Sequence, residues 1–247
     1  MTISVAVVGA TGRMGRFVSR LIEDSVDFEL AASIDSKTPL DAAKGADLIF
    51  DVTVPAVSQT VVEFAIENDI SAVVGTSGWS LERIDTIRKA AAAKPDLAVL
   101  IIPNFSIGSV LATSFAAVAA RFFDSIEIVE AHDVSKVDSP SGTAIRTAEL
   151  IGEARAKLGP VVAPHHDQRA RGQLIASVPI HSVRMQGVGA RQEVMLGGRG
   201  ELLTLKHEAV TRDAYEAGIM LALRTAPTAR GIIVGLDKLI DLAPATE

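Results

Sequence analysis

The stretch MTISVAVVGATGRMG, residues 1–15, decides the fold. An apolar run leads into Gly9-Ala10-Thr11-Gly12-Arg13-Met14-Gly15, and apolar residues then recur at helical spacing over residues 13–23. Strand, glycine loop and helix in that order fit G-x-x-G-x-x-G, a variant of the dinucleotide-binding fingerprint. Gly9 permits the tight turn, Gly12 lets the backbone approach a pyrophosphate, and Gly15 allows the helix close contact with the strand. The helix start adds free N–H groups and a partial positive charge. A signal peptide would need a basic start and a small-residue cleavage site after its apolar core. Here the apolar run ends in the glycine loop and reads as a strand over residues 4–9.

Outward from this loop, apolar runs at residues 29–34, 47–52, 72–75 and 97–102 alternate with helical patterns at 56–67 and 81–93. Val- and Ile-rich strands with intervening helices imply an α/β, Rossmann-type doubly wound parallel sheet. After residue 105 the pattern changes. An Ala-rich helix over 107–123 is followed by a strand at 125–132, a helix over 143–158 ending near Gly159-Pro160, and a polar loop at 165–173. Short strands at 178–184, 192–196 and 202–207 are separated by Gly187, Gly189, Gly197, Gly198 and Gly200, which suggests a mixed or antiparallel sheet in a second, α+β domain. A helix spans 212–224. The expected domains are 1–105 for the dinucleotide, joined by the returning segment 215–247, and 106–214 for substrate and oligomer contacts.

Composition narrows the function classes. The chain has 247 residues, 48% hydrophobic and 22% charged, which suits a packed globular protein. A net charge of −6 argues against nucleic acid as a partner. With no cysteine, there are no disulfides, thiolate metal sites or cysteine nucleophiles, and a reducing, cytoplasmic location is compatible. Residues 97–120 carry no charge, but Pro103-Asn104 splits them and Ser106, Ser109, Thr113 and Ser114 make the second half polar. They read as a buried strand and a packed helix rather than a membrane span. His165 and His166 lie in a polar loop without a third ligand, so no metal site is expected.

Asp35 follows the second strand, 26 positions after Gly9, where a carboxylate accepts hydrogen bonds from the adenosine ribose. Lys37 lies two residues on and can meet a 2′-phosphate, so both NADH and NADPH remain open. Gly75-Thr76-Ser77-Gly78 and Ile102-Pro103-Asn104-Phe105 follow the fourth and fifth strands, at the sheet edge where such folds bind ligands.

A second stretch carries proton chemistry: EAHDVSKVDSPSGTA, residues 130–144. His132 and Lys136 stand four residues apart, and Ser141-Gly142-Thr143 looks like a helix start. Imidazole gives and takes a proton near neutral pH, and an amine with a helix N-terminus suits a carboxylate substrate.

GATGRMG, DVTVP, VVGTSG, PNFSIG, EAHDVSKVDSPSGTA and GELLTLKHEAVTR occur in that order, and the chain resembles the dihydrodipicolinate reductases over nearly its whole length. The resemblance implies NAD(P)H-dependent reduction of 4-hydroxy-tetrahydrodipicolinate, a small dicarboxylate, in lysine and diaminopimelate biosynthesis, by a cytoplasmic homotetramer built through the second domain's sheet. It implies His132 as acid–base group, Lys136 as proton donor, and Gly142 and Thr143 as carboxylate ligands. Gly9, Ala10, Thr11, Gly12, Arg13, Met14, Asp35, Gly75, Thr76, Ser77, Ile102, Pro103, Asn104 and Phe105 would hold the cofactor.

The chain also departs from that pattern. Asp133 stands where the family usually has a second histidine that grips a substrate carboxylate, and Arg191 stands near a usual histidine. Asp133 and Ser141 are therefore counted with the substrate-binding residues, and Arg191 is expected to offset the charge of Asp133. The alternatives are a divergent reductase acting on another imine or keto acid, and a non-catalytic redox sensor. A sensor has no need of a proton donor.

Overall fold

The computed structural model describes residues 2–241. It divides into two compact units, Met1–Phe105 with Tyr215–Glu247, and Ser106–Ala214.

The first unit is a six-stranded parallel sheet. Its strands are β1 (Ile3–Val8), β2 (Phe28–Ile34), β3 (Leu48–Asp51), β4 (Ser71–Val74), β5 (Ala98–Ile101) and β11 (Gly231–Val234), in the order β11-β5-β4-β3-β1-β2. Helices α1 (Arg13–Glu23), α2 (Pro55–Glu67) and α3 (Leu81–Ala91) connect the early strands, and α6 (Glu216–Thr225) precedes β11. Every residue of β3 and β5 is buried, as expected of parallel strands in the middle of a doubly covered sheet. Strand order reverses between β1 and β3, the point at which such sheets bind ligands beyond their carboxyl ends.

The glycine loop sits at that point. Gly9 has φ +88°, a backbone state that favours glycine, and donates its N–H to the Ile34 carbonyl at 2.8 Å. A Cβ on Gly15 would lie 2.1 Å from the Gly9 carbonyl oxygen, so only glycine lets α1 start this close to the turn.

The second unit has a five-stranded sheet. The strands are β6 (Ser125–His132), β7 (Gln173–Ile175), β8 (Val178–Arg184), β9 (Ala190–Gly198) and β10 (Glu201–Ala209), ordered β10-β9-β6-β8-β7. Only β6 and β8 run parallel. Helices α4 (Ile107–Ala119) and α5 (Gly142–Ala154) pack on one face, placing Ala116, Ala144, Ala148 and Ile151 against Ile126, Ile128, Ile180, Val194 and Leu196. Alternation in β6 carries this face on to Glu130 and His132. The other face exposes Leu174, Val183 and Leu202.

The structure revises several expected boundaries. Gly197 and Gly198 belong to β9 and are not turn residues, because they pair with Leu202 and Glu201 of β10. The expected polar loop ends where β7 begins, at Gln173, and β7 pairs with β8. Helix α4 ends at Ala119, short of 123, and α5 at Ala154, short of 158. Arg155 secures the end of α4: its buried guanidinium donates to the Ala120 carbonyl at 2.7 Å and to the Phe123 carbonyl, groups that otherwise lack helical partners. The segment at 212–224 begins as a short 3-10 turn, Arg212–Tyr215, before α6. No helix among the described residues is long and apolar enough to cross a membrane.

Candidate active site

In the first unit, the residues expected to hold a dinucleotide gather at the carboxyl ends of the strands. Gly12 precedes α1 with extended backbone and no side-chain cap, which leaves the first N–H groups of the helix available. Beyond β2, Asp35 Oδ1 accepts from Lys37 N at 2.9 Å, Thr38 N at 3.1 Å and Thr38 Oγ1 at 2.9 Å. The Lys37 amide and then the Thr38 hydroxyl hold this carboxyl below its ordinary value, so it presents negative charge. Lys37 is exposed beside it.

Beyond β4, Thr76 is buried and its Oγ1 has no hydrogen-bond partner among the described residues. A buried hydroxyl left alone costs free energy, so this one suits an incoming polar group. A Cβ on Gly75 would meet the Phe105 ring at 2.8 Å. Phe105 itself is buried and stacks on Phe50 with ring centroids 5.6 Å apart. Ile102 is also fully buried. These two side chains serve the core. Trp79 donates to Ser58 Oγ at 3.2 Å and lies under the Arg83 guanidinium. Together these features fit a nicotinamide dinucleotide: a glycine cradle, an uncapped helix start, a carboxylate at the ribose position and a lone buried hydroxyl.

In the second unit the proton-bearing stretch is built around a residue that the sequence reading passed over. Glu130 has a fully buried carboxylate. Its Oε2 meets His132 Nδ1 at 2.6 Å, and Arg184 of β8 reaches both of its oxygens, at 2.8 and 2.9 Å. Ser141 N donates to Oε1 at 3.2 Å. Burial pushes the Glu130 carboxyl up, but bonds from Arg184, Ser182 and His132 outweigh it and hold the group below its ordinary value. An ionised carboxylate only accepts, so Nδ1 of His132 carries the hydrogen and Nε2 is left to exchange a proton. Burial lowers the imidazole's own pKa, against the pull of Glu130, and the cations Lys136 and Arg184 lower it further.

The turn after His132 is held by Asp133. Its Oδ1 accepts from Ser135 N at 3.0 Å and its carbonyl from Lys136 N at 3.0 Å. This carboxylate thus helps build the turn that carries Lys136. Arg191 stands opposite Ala131 on β6, and its guanidinium pairs with Glu193 at 2.8 Å. Lys136 Nζ pairs with Asp138 at 2.8 Å. Ser141 caps α5 by accepting from Ala144 N at 3.2 Å, so Gly142 and Thr143 begin the helix. Thr147 Oγ1 bonds the Thr143 carbonyl at 2.8 Å and steadies that first turn.

Glu130 could have been found in the sequence. It continues the buried alternation of Ile126 and Ile128, and a carboxylate on a buried face two residues before a histidine calls for partners. Arg184 carries no such signal, because it lies 54 residues from Glu130 and only the β6–β8 register joins them.

Residues 3–105 match the family described as dihydrodipicolinate reductase, N-terminus, and residues 108–240 match dihydrodipicolinate reductase, C-terminus. The chain belongs to the dihydrodipicolinate reductase family. It is 61% identical over 247 residues to the 4-hydroxy-tetrahydrodipicolinate reductase of Clavibacter michiganensis subsp. michiganensis (strain NCPPB 382), covering 100% of this chain and 89% of the relative. It is 42% identical to the enzyme of the same description from Streptomyces coelicolor, over 97% of this chain and 98% of that one. Among solved structures it is similar to dipicolinate-bound dihydrodipicolinate reductase from Paenisporosarcina sp. TG-14, with TM-score 0.84, 28% identity, and coverage of 97% and 100%. As a dihydrodipicolinate reductase family member, the chain is an oxidoreductase with a Rossmann-like sheet.

Proposed function

We infer that this chain reduces 4-hydroxy-tetrahydrodipicolinate to tetrahydrodipicolinate, using NADH or NADPH, in lysine and diaminopimelate biosynthesis. The observation that carries the reading is His132, held by ionised Glu130, in one short segment with Lys136 and the capped start of α5.

Once the 4-hydroxyl group has left as water, a bound nicotinamide dinucleotide would supply hydride to a ring carbon of the conjugated imine that remains. The chain's residues manage charge and protons around that event. Gly142 and Thr143 offer N–H groups and a hydroxyl to a substrate carboxylate, and the α5 N-terminus favours its negative charge. Lys136 brings a cation to the dicarboxylate and donates a proton, and His132 Nε2 exchanges one with the reacting molecule or with water. Asp133 and Ser141 shape this grip through the turns that they hold. In the first unit, Gly9, Ala10, Thr11, Gly12, Arg13 and Met14 surround a pyrophosphate. Asp35 accepts from ribose hydroxyls, and Lys37 faces a 2′-phosphate. Gly75, Thr76, Ser77, Ile102, Pro103, Asn104 and Phe105 take the nicotinamide end, with Thr76 Oγ1 as the group in need of a partner.

The reading includes a cytoplasmic homotetramer formed through the second sheet. Leu174, Val183 and Leu202, exposed on the face away from α4 and α5, support that assembly. A monomer by light scattering at micromolar concentration would overturn this part.

The decisive assay follows NADH and NADPH loss with enzymatically made substrate. Turnover is expected. Its absence from folded protein that still binds cofactor would refute the function. His132→Ala should lose about 10²–10⁴ in kcat, the range of a general acid–base group, and a loss under about ten-fold would remove His132 from that role.

A further inference from the structure

We propose that Arg184 is a positioning residue that keeps Glu130 ionised and thereby fixes which nitrogen of His132 exchanges the proton. The inference rests on the reading of His132 as acid–base group.

Glu130 is fully buried. A carboxyl group there takes up a proton unless something favours its charge. Its neighbours come from every element around it. His132 shares β6, Arg184 and Ser182 come from β8, and the Ser141 amide comes from the start of α5. Gln192 of β9 stands opposite Glu130, and His207 of β10 stands beyond Gln192 in the same row. Lys136 and Asp138 lie on the turn that leads to α5. Of the groups bonded to the Glu130 carboxylate, Arg184 alone is charged at every working pH. Its two Nη groups reach separate carboxylate oxygens, the fork geometry that lysine cannot supply.

The consequence passes to His132. While Glu130 is ionised it can only accept, so the imidazole hydrogen stays on Nδ1 and Nε2 remains open. Should Glu130 become protonated, the carboxyl can donate to Nδ1, and the hydrogen moves to Nε2. The imidazole then cannot accept at the position facing the chemistry.

The same guanidinium reaches further. Nη2 donates to the Asp138 carbonyl at 2.6 Å, and the Asp138 carboxylate pairs with Lys136. Arg184 Nε is meanwhile buried without a hydrogen-bond partner among the described residues. The fold thus accepts one unmet donor while both Nη groups serve the Glu130 carboxylate and the Lys136 turn. Backbone register sets the placement: Arg184 pairs with His132 across β6 and β8, and Met185 N donates to the His132 carbonyl at 3.0 Å.

The test uses full-length protein with ¹⁵N-labelled histidine, together with pH profiles of kcat/KM. Wild-type His132 should be the Nδ1–H form near neutral pH. Arg184→Met should move the hydrogen to Nε2 in a large fraction of molecules, displace the acid limb of the profile upward, and cut kcat by about 10²–10⁴. Arg184→Lys keeps the charge but not the fork, so it should keep Nδ1–H while recovering only part of the rate. Arg184→Met with Nδ1–H and an unchanged profile would overturn the proposal. If Arg184→Met does not fold, Glu130→Gln tests the same link, because its neutral amide no longer selects one tautomer. A pure Nδ1–H signal in Glu130→Gln would also overturn it. The tautomer is read without turnover, so failure of the acid–base reading, seen as a small His132→Ala effect, is distinguishable from failure of this one.

Discussion

Replacing Gly142 by alanine separates ligand grip from fold. Gly142 opens α5, has no positive φ, and would place a Cβ with nothing outside its own helix within 4 Å. The folded protein accepts the methyl group without a clash. Gly→Ala at a compatible site stabilises by about 0.4–1 kcal/mol, largely by restricting the unfolded chain. For a chain of this size each kcal/mol moves the melting midpoint by about 2–4 °C, so Gly142→Ala should melt about 1–4 °C higher. The same methyl group occupies open space beside the amides proposed to hold a substrate carboxylate. Losing one hydrogen bond to a charged group costs about 1.5–3 kcal/mol, which is roughly a 10- to 100-fold loss of affinity. Isothermal titration with dipicolinate, the ligand bound in the similar solved structure, measures that loss, and calorimetry measures the midpoint. Unchanged dipicolinate affinity in a variant that melts no lower would refute the carboxylate site at Gly142. A midpoint several degrees lower would refute the reading of the space as open.

Two further outcomes follow from charge. Burial holds His132 and His207 below their ordinary value of 6.5, so the unfolded chain binds more protons than the folded one below that pH. Stability should therefore fall as pH drops through 6.5 toward the folded values. His207→Asn should flatten the fall, and a melting midpoint that rises on acidification would contradict the burial argument. Lys37→Ala should raise KM for NADPH by about 2- to 5-fold, the size of an exposed charge pair, and leave NADH unchanged. Equal effects on both cofactors would remove Lys37 from a 2′-phosphate role.

The sheet of the first unit was legible because its early strands are short, largely apolar runs between helical patterns, and the glycine loop marks its first turn. β11 was harder to see: GIIV is four residues long, and its place beside β5 is decided by pairing across most of the chain. β7 was hidden because it is only three residues long and two of them are exposed, and only the ladder with β8 makes it a strand. In the site, local order sufficed for His132, Lys136 and the Ser141 cap, which share one short segment. The electrostatics did not follow from order. Asp133 reads as a repulsive charge in the sequence, yet its carboxylate bonds the Ser135 amide of its own turn. Arg191 reads as its compensator, and its guanidinium also pairs with Glu193, a partner two residues along its own strand. Each depends on side-chain direction, which a one-residue change of register reverses.

The place of β11 bears on how the protein is made. Its partner β5 ends at Ile101, but the strand that completes the sheet begins at Gly231, after the whole of Ser106–Ala214 has been translated. On the ribosome the nucleotide unit therefore waits, with the ladder of β5 open along one side, while the later unit has its full sequence first. Unpaired strand edges are templates for unwanted association. A chain released before residue 231 keeps that edge for good, so premature termination late in the message yields an aggregation-prone fragment rather than a shortened reductase.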